Sequence, residues 1–548
     1  MYATDSAIFE LVASMAEEFE FDYVIVGAGS AGCVIANRLV QDGRFSVALV
    51  ERGRNDDNRW IHIPATYFKA HQSQDIDEVL SEPDQTLDGK RFSVPQGNVI
   101  GGGSSINAMI YMRGQDRDYD EWDDLHGCKG WRYEDVLPVF MRQEKNMHLG
   151  APYHGQEGPL VVASPEYKHP VNKLMLDAAL SAGLKWSDDF NGETQEGAGW
   201  YQANAYAGRR QSAATCFLKP VLGSEQLTVL TNTIAGKIRL NGRRASALEV
   251  TKDGQQFILH ARKEIILTAG TFQSPKLLML SGVGPAGELG RHGIELVHET
   301  PEVGSNYHDH IGTPVTYKLK GTTGYHNADK GFAALKHGVD YFLFRRGLLT
   351  SNLLAAGACV DTDGDGRPDV QLNFAPFAPG APGQGPLPVH SLHIHPITMR
   401  PTSRGRLVLA TTNPDDNPKF EAQVLQTEED LDTLRRGVRL SQEIFKQPQF
   451  KEILGEQIWP GSDVSTAVGS NSLDDAVRKQ ARTIYHPAGT CRMGTDQHAV
   501  VDARLSVNGI EGVRVADCSV MPALVSGNTN APTMMIADRA ADFVLADV

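Results

Sequence analysis

The sequence predicts an α/β protein that opens with a Rossmann-like unit. Three observations carry this reading: a short β-branched and aromatic run at 21–26 (FDYVIV), a glycine turn directly after it, and a second such run at 46–50 (SVALV) beyond a stretch of helical character. Strands that alternate with helices pair in parallel and are covered by those helices. The chain has 548 residues, which at roughly 150 residues per domain means two to four domains or two large interleaved ones. With 41% hydrophobic and 22% charged residues it can bury a large core and lacks the composition of a disordered chain. A net charge of −15 argues against general nucleic-acid binding, which needs a basic face.

Residues 1–20 carry no basic n-region and end in acid, so they do not read as a secretory or transit peptide. Ile8, Leu11, Val12 and Met15 stand at helical spacing, which predicts a short amphipathic helix resting on the protein body. No apolar stretch reaches the length that spans a bilayer; any membrane association would be peripheral. The six cysteines (Cys33, Cys128, Cys216, Cys359, Cys491 and Cys518) form no C-x-x-C and no zinc spacing. They fit small apolar residues in a reducing compartment, and the chain is expected to be cytoplasmic.

The turn after the first strand is Gly27-Ala28-Gly29-Ser30-Ala31-Gly32, a G-x-G-x-x-G. Here it has its full setting of strand, turn, helix, strand and acid, the acid being Glu51 nineteen residues beyond Gly32. Gly27 permits the tight turn, Gly29 leaves room for a pyrophosphate, and Gly32 lets the helix pack on the strand. The helix N-terminus offers N–H groups to phosphate. Glu51 can accept from two ribose hydroxyls and would repel a 2′-phosphate. The unit is therefore expected to bind a dinucleotide, either FAD or NAD, and NADP is disfavoured.

Further along, residues 97–114 read GNVIGGGSSINAMIYMRG, a run of bare backbone able to lie against a planar ligand or an anion. Residues 224–270 alternate strands with turns and end in EIILTAG. Residues 270–284 read GTFQSPKLLMLSGVG, residues 485–494 YHPAGTCRMG, and residues 513–535 VRVADCSVMPALVSGNTNAPTMM. With the opening turn, these segments resemble the glucose–methanol–choline (GMC) oxidoreductase family from about residue 20 to the C-terminus. The likeness is strongest to its bacterial choline-dehydrogenase-like and alcohol-dehydrogenase members.

The resemblance implies a GMC fold: a Rossmann-like FAD-binding domain from 20–160, 225–312 and 480–548, and an α+β substrate domain with an antiparallel sheet from 161–224 and 313–479. Residues 1–19 would be an extension. It implies oxidation of an alcohol by hydride transfer to flavin N5, with His486 as base and Asn530 holding the substrate oxygen. Imidazole suits the base, since its ordinary pKa lies near working pH, and an amide can donate without competing for the proton. Cofactor contacts carried over are Gly27, Gly29, Ser30, Ala31, Gly32 and Glu51; Gly101, Gly102, Gly103, Ser105, Asn107 and Ala108; and Ile234, Ala269, Gly270, Asp517 and Pro532. Met109, Phe374 and Tyr485 are expected to line the substrate pocket.

Two departures from the family pattern stand out. Its usual P-R-G-K is here Pro95-Gln96-Gly97-Asn98, and where some relatives attach FAD through a histidine this chain has Val94. A noncovalent FAD is expected. The partners implied are a small alcohol and an electron acceptor, quinone-like or O₂, with no nucleic acid. An oxidase, and a lyase or photodecarboxylase on the same scaffold, are the alternatives. No metal is expected: Asn306-Tyr307-His308-Asp309-His310 reads as structural, and 361–366 (DTDGDG) resembles half an EF-hand but has Leu372 where the bidentate Glu belongs. His393 and His395 share one face of a strand, where single residues could line the pocket but packing is the ordinary role.

Overall fold

A computed structural model describes residues 17–320, 324–380 and 385–547. The expected N-terminal helix lies outside the described residues.

The first strand runs Glu17–Val26, and its apolar half, Tyr23 to Val26, is buried. Buried on both faces, it pairs in parallel with Val47–Val50 on one side and with Gln255–Leu267 on the other. In spatial order this seven-stranded sheet runs Leu227–Leu230, Val47–Val50, Glu17–Val26, Gln255–Leu267, Arg244–Lys252 and Thr233–Asn241, with Val513–Val515 pairing the end of Gln255–Leu267. Helix Ser30–Asp42 packs on it beside the C-terminal helix Asn530–Ala546.

The second sheet has eight strands. Its main path runs Leu454–Trp459, Val315–Leu319, Ser391–Thr398, Val370–Ala375, Ala356–Val360 and Gly197–Trp200, and every pairing along it is antiparallel. Two short strands, Ile311–Gly312 and Arg482–Thr483, join it from segments expected in the first part. The strands Val370–Ala375 and Ser391–Thr398 are buried throughout, with helix Glu428–Phe445 laid on one face. The molecule is mixed α/β, a parallel Rossmann-like sheet joined to a large antiparallel one.

Candidate active site

The two sheets enclose a cavity of about 500 Å³, within the range of small-molecule sites. Its floor is almost bare backbone. The Gly101 N–H donates to the Ala28 carbonyl at 2.7 Å, so the triple-glycine segment rests on the first glycine turn. A Cβ on Gly102 would stand 2.7 Å from the Gly29 Cα, while one on Gly103 would meet no protein atom within 4 Å. Among the described residues, three helices of eleven residues or more begin at this cavity, at Ser30, Gly270 and Asn530. No side chain caps the first or the last of them, so their leading N–H groups and dipoles are left for an anion. At the second, Asp517 accepts from the Gly270 N–H at 2.8 Å and from Ser274 at 2.6 Å.

Glu51 lines one end together with Ile234. Its carboxylate accepts from the Ala28 N–H at 2.8 Å and the Gly53 N–H at 2.7 Å, and burial pushes its pKa up to about 7. Asn107 accepts at its side-chain oxygen from the Met109 N–H at 3.0 Å and from Arg210 at 2.7 Å. Arg210 is fully buried, and burial lowers its pKa to about 9. Nothing in its local sequence marked it out.

At the other end stands His486, 8% exposed. Its backbone N–H donates to Asp309 at 2.8 Å, and Asp309 also accepts from Thr483. Its Nδ1 lies 2.9 Å from His310 Nδ1, and His310 Nε2 lies 3.0 Å from the Met399 carbonyl. One set of neutral tautomers satisfies this chain: His310 donates to Met399, His486 Nδ1–H donates to His310, and the His486 Nε2 lone pair, on the cavity side, accepts from Asn528 Nδ2. Burial and the neighbouring His310 hold the His486 pKa well below the ordinary imidazole value. Tyr485, just before it, has φ +67; strain of this kind gathers where a site must present a side chain.

The group that meets His486 Nε2 is Asn528, whose Nδ2 lies at 3.1 Å. Asn530 was expected there. It instead accepts from Ser30 Oγ at 2.8 Å, in the first turn of the C-terminal helix. The helix begins at Asn530, so the two asparagines two residues apart face different neighbours. Asn528 Oδ1 is buried without a partner.

Most other predicted residues border the cavity: Gly27, Gly29, Ser30, Ala31, Glu51, Gly102, Gly103, Asn107, Ala108, Met109, Ile234, Ala269, Gly270, Tyr485 and Asp517. Five predicted contacts do not. A Cβ on Gly32 would stand 1.9 Å from the Gly27 carbonyl oxygen, so that glycine serves helix packing. Gly101, with φ +85, and Ser105, whose hydroxyl donates to Ile100 at 2.8 Å, shape the loop from behind. Pro532 is buried in the first turn of its helix. Phe374 faces the core, because strand side chains alternate: Asn373, which pairs in register with His395, turns to the cavity instead. His393 and His395, on one strand face, also border the cavity, the less usual of the two roles open to them from the sequence. Aspartates 361, 363 and 369 converge within 4.8 Å, but Asp361 accepts from the Gly364 and Gly366 N–H groups and Asp369 pairs with Arg436 at 2.8 Å.

Family models described as GMC oxidoreductase match residues 21–312 and 401–537. The chain belongs to the GMC oxidoreductase family. It is 37% identical over 530 residues to an oxygen-dependent choline dehydrogenase of Brucella anthropi, covering 96% of each chain. It is 37% identical over 537 residues to an alcohol dehydrogenase [acceptor] of Pseudomonas putida, again covering 96% of each. Among solved structures, pyridoxine 4-oxidase from Mesorbium loti superposes with a TM-score of 0.85 at 28% identity, over 95% of this chain and 98% of that one. This GMC oxidoreductase is thus an FAD-dependent enzyme acting on CH–OH donors. The residues present fit FAD: a backbone floor that a single Cβ would obstruct, helix N-termini for a pyrophosphate, and a buried carboxylate at the far end.

Proposed function

We propose that the protein oxidises an uncharged alcohol to its aldehyde or ketone, with His486 as base and Asn528 as its partner. FAD, when bound, supplies the two-electron sink for the carbinol C–H bond. The Gly27 to Gly32 turn, Glu51, the Gly102 to Asn107 segment and the start of the Asn530–Ala546 helix would hold it noncovalently, Val94 offering no imidazole for a covalent link. A substrate hydroxyl at the His486 end donates its proton to Nε2, and the Asn528 amide donates to the same oxygen. His310, fixed by the Met399 carbonyl, keeps the Nδ1 side of the base occupied. The observation that carries the reading is this pair, an uncharged imidazole and an amide 3.1 Å apart on the cavity wall.

Charge supports a neutral substrate. Around His486 the cavity is lined by Met109, Leu354, Asn373, Phe377, His393 and Tyr485, and the ionic group there is Arg482. The lining carboxylates, Glu51, Asp77 and Asp517, belong to the glycine-turn end. A quaternary ammonium such as choline would face this cation, while Asp309, the carboxyl nearest His486, lies behind the cavity wall and has its pKa raised to about 7 by burial. Electrons then pass to a quinone-like acceptor. Anaerobic mixing of the flavin-loaded enzyme with a panel of alcohols tests this: neutral aliphatic or aromatic alcohols should bleach the flavin absorption, and choline should do so far more weakly. If no alcohol bleaches it, the reading fails. Peroxide released under air would assign O₂ as acceptor instead.

A further inference from the structure

Helix Gly331–Phe344 presents the wrong side to water. Its one buried residue is Tyr341, whose hydroxyl donates to the Gly208 carbonyl at 2.7 Å. Phe332, Leu335, Val339, Phe342 and Leu343 share a stripe about 100° wide on the opposite side, at about 100° per residue. A helix of a water-surrounded domain turns such a stripe inward. Here Phe332 is 81% exposed, Leu343 71% and Phe342 61%. With Phe344, six of the sixteen exposed large hydrophobic residues among those described lie on this helix, so they form a patch rather than the usual scatter.

The patch has a basic rim. Lys330, Lys336 and Arg346 stand against Asp329 and Asp340, on a chain of net charge −15. Asp340 is paired with Arg346 at 3.2 Å, and Arg345 lies over the Tyr341 ring at 4.7 Å. An apolar stripe of Phe and Leu bordered by cations is the pattern of a helix lying in the plane of a bilayer. No helix among the described residues is long and apolar enough to cross one. A protein partner would need the apolar stripe but not the basic rim, whose sign is opposite to that of the chain as a whole.

We propose that this helix docks the enzyme on an anionic lipid surface, its stripe entering the headgroup–acyl boundary and its cations meeting the headgroups. The chain on both sides of the helix reaches the substrate end of the cavity. Before it, Tyr325 stacks on Phe377 with centroids 6.2 Å apart. After it, Leu348 and Leu353 pack with Tyr67, and Tyr67, Leu354 and Phe377 line the cavity. Apolar molecules dissolved in the bilayer would thus be concentrated beside the wall that borders His486.

The test is flotation of the full-length, flavin-loaded enzyme with vesicles of phosphatidylcholine, alone or mixed with phosphatidylglycerol. The enzyme should float with the mixed vesicles, less with neutral ones, and less again as salt is added. The double variants Leu335→Ser/Phe342→Ser and Lys330→Glu/Lys336→Glu should each weaken vesicle affinity about tenfold or more. Their flavin content and melting temperature should match those of the parent, which separates lost docking from lost fold. Failure of the parent to float at low salt overturns the proposal, as do variants that float like the parent. It is also overturned if the parent ignores vesicles and the serine variant dissociates a dimer in the ultracentrifuge, which would assign the stripe to a second copy of the chain.

Discussion

His486 is held on three sides: by Asp309 at its backbone, His310 at Nδ1 and Asn528 at Nε2. Each contact limits one freedom of the ring, so the lone pair proposed to receive the substrate proton is oriented before substrate arrives. This gives Asn528 and Asn530 separable roles. Asn528→Ala removes a donor beside the reacting oxygen and should lower kcat/KM about 10²- to 10³-fold with flavin retained. Asn530→Ala removes the hydrogen bond from Ser30 and should cost about 1 kcal/mol of stability, leaving kcat within about threefold of the parent. Steady-state kinetics on the best alcohol, with flavin measured by absorbance, decides between them; a larger kinetic loss from Asn530→Ala would return the partner role to that residue.

At the scale of elements, the floor of the site depends on two glycine-rich turns touching backbone to backbone. Gly102 has φ +49, and a Cβ there would press on the Gly29 Cα at 2.7 Å. Neither turn can retreat, since the Gly101–Ala28 hydrogen bond ties them together. Gly102→Ala should therefore destabilise the protein by about 1–3 kcal/mol and yield preparations poor in flavin. Gly103→Ala separates packing from binding, because its Cβ would enter open cavity. The flavin-free protein should melt as the parent does, while flavin affinity falls about tenfold. Thermal melts of both flavin-free variants and flavin titration measure the two effects; unaltered flavin binding by Gly103→Ala would place the cofactor elsewhere.

At the scale of the whole molecule, the cavity wall, with His393, His395 and His486, and the buried layer behind it, with His308 and His310, are rich in imidazoles that burial keeps uncharged. His310 and His393 are pushed down to about 4, and His308, His395 and His486 lie well below the ordinary value, chiefly through desolvation. The unfolded chain protonates these groups near pH 6.5 and the folded chain does not, so their contribution to stability is lost as pH falls from about 6.5 to about 4. Buried Glu51 and Asp309 act in the opposite sense. Desolvation raises both to about 7, so their contribution is present below about pH 4 and lost as pH rises through about 7. Five imidazoles outweigh two carboxylates. The melting temperature should fall as pH is lowered from about 7 to about 5; a flat or rising profile by scanning calorimetry would contradict this balance.

The nucleotide-binding half was legible in the residues because its signals are local. A strand, a G-x-G-x-x-G turn and an acid lie within about thirty residues of one another, and the backbone geometry they need is set by the glycines themselves. His486 could be found for the same reason, inside a segment whose motif the family carries. Tertiary structure alone decided which of Asn528 and Asn530 reaches His486, since that depends on where the last helix begins. It likewise decided that Asn373 rather than Phe374 faces the cavity, since strand register settles which of two neighbours points inward. The parts played by His310, Asp309 and Arg210 rest on contacts across 176, 177 and 103 residues of chain. The outward stripe on Gly331–Phe344 has the periodicity of a core helix, and only its packing through Tyr341 shows which way the stripe faces.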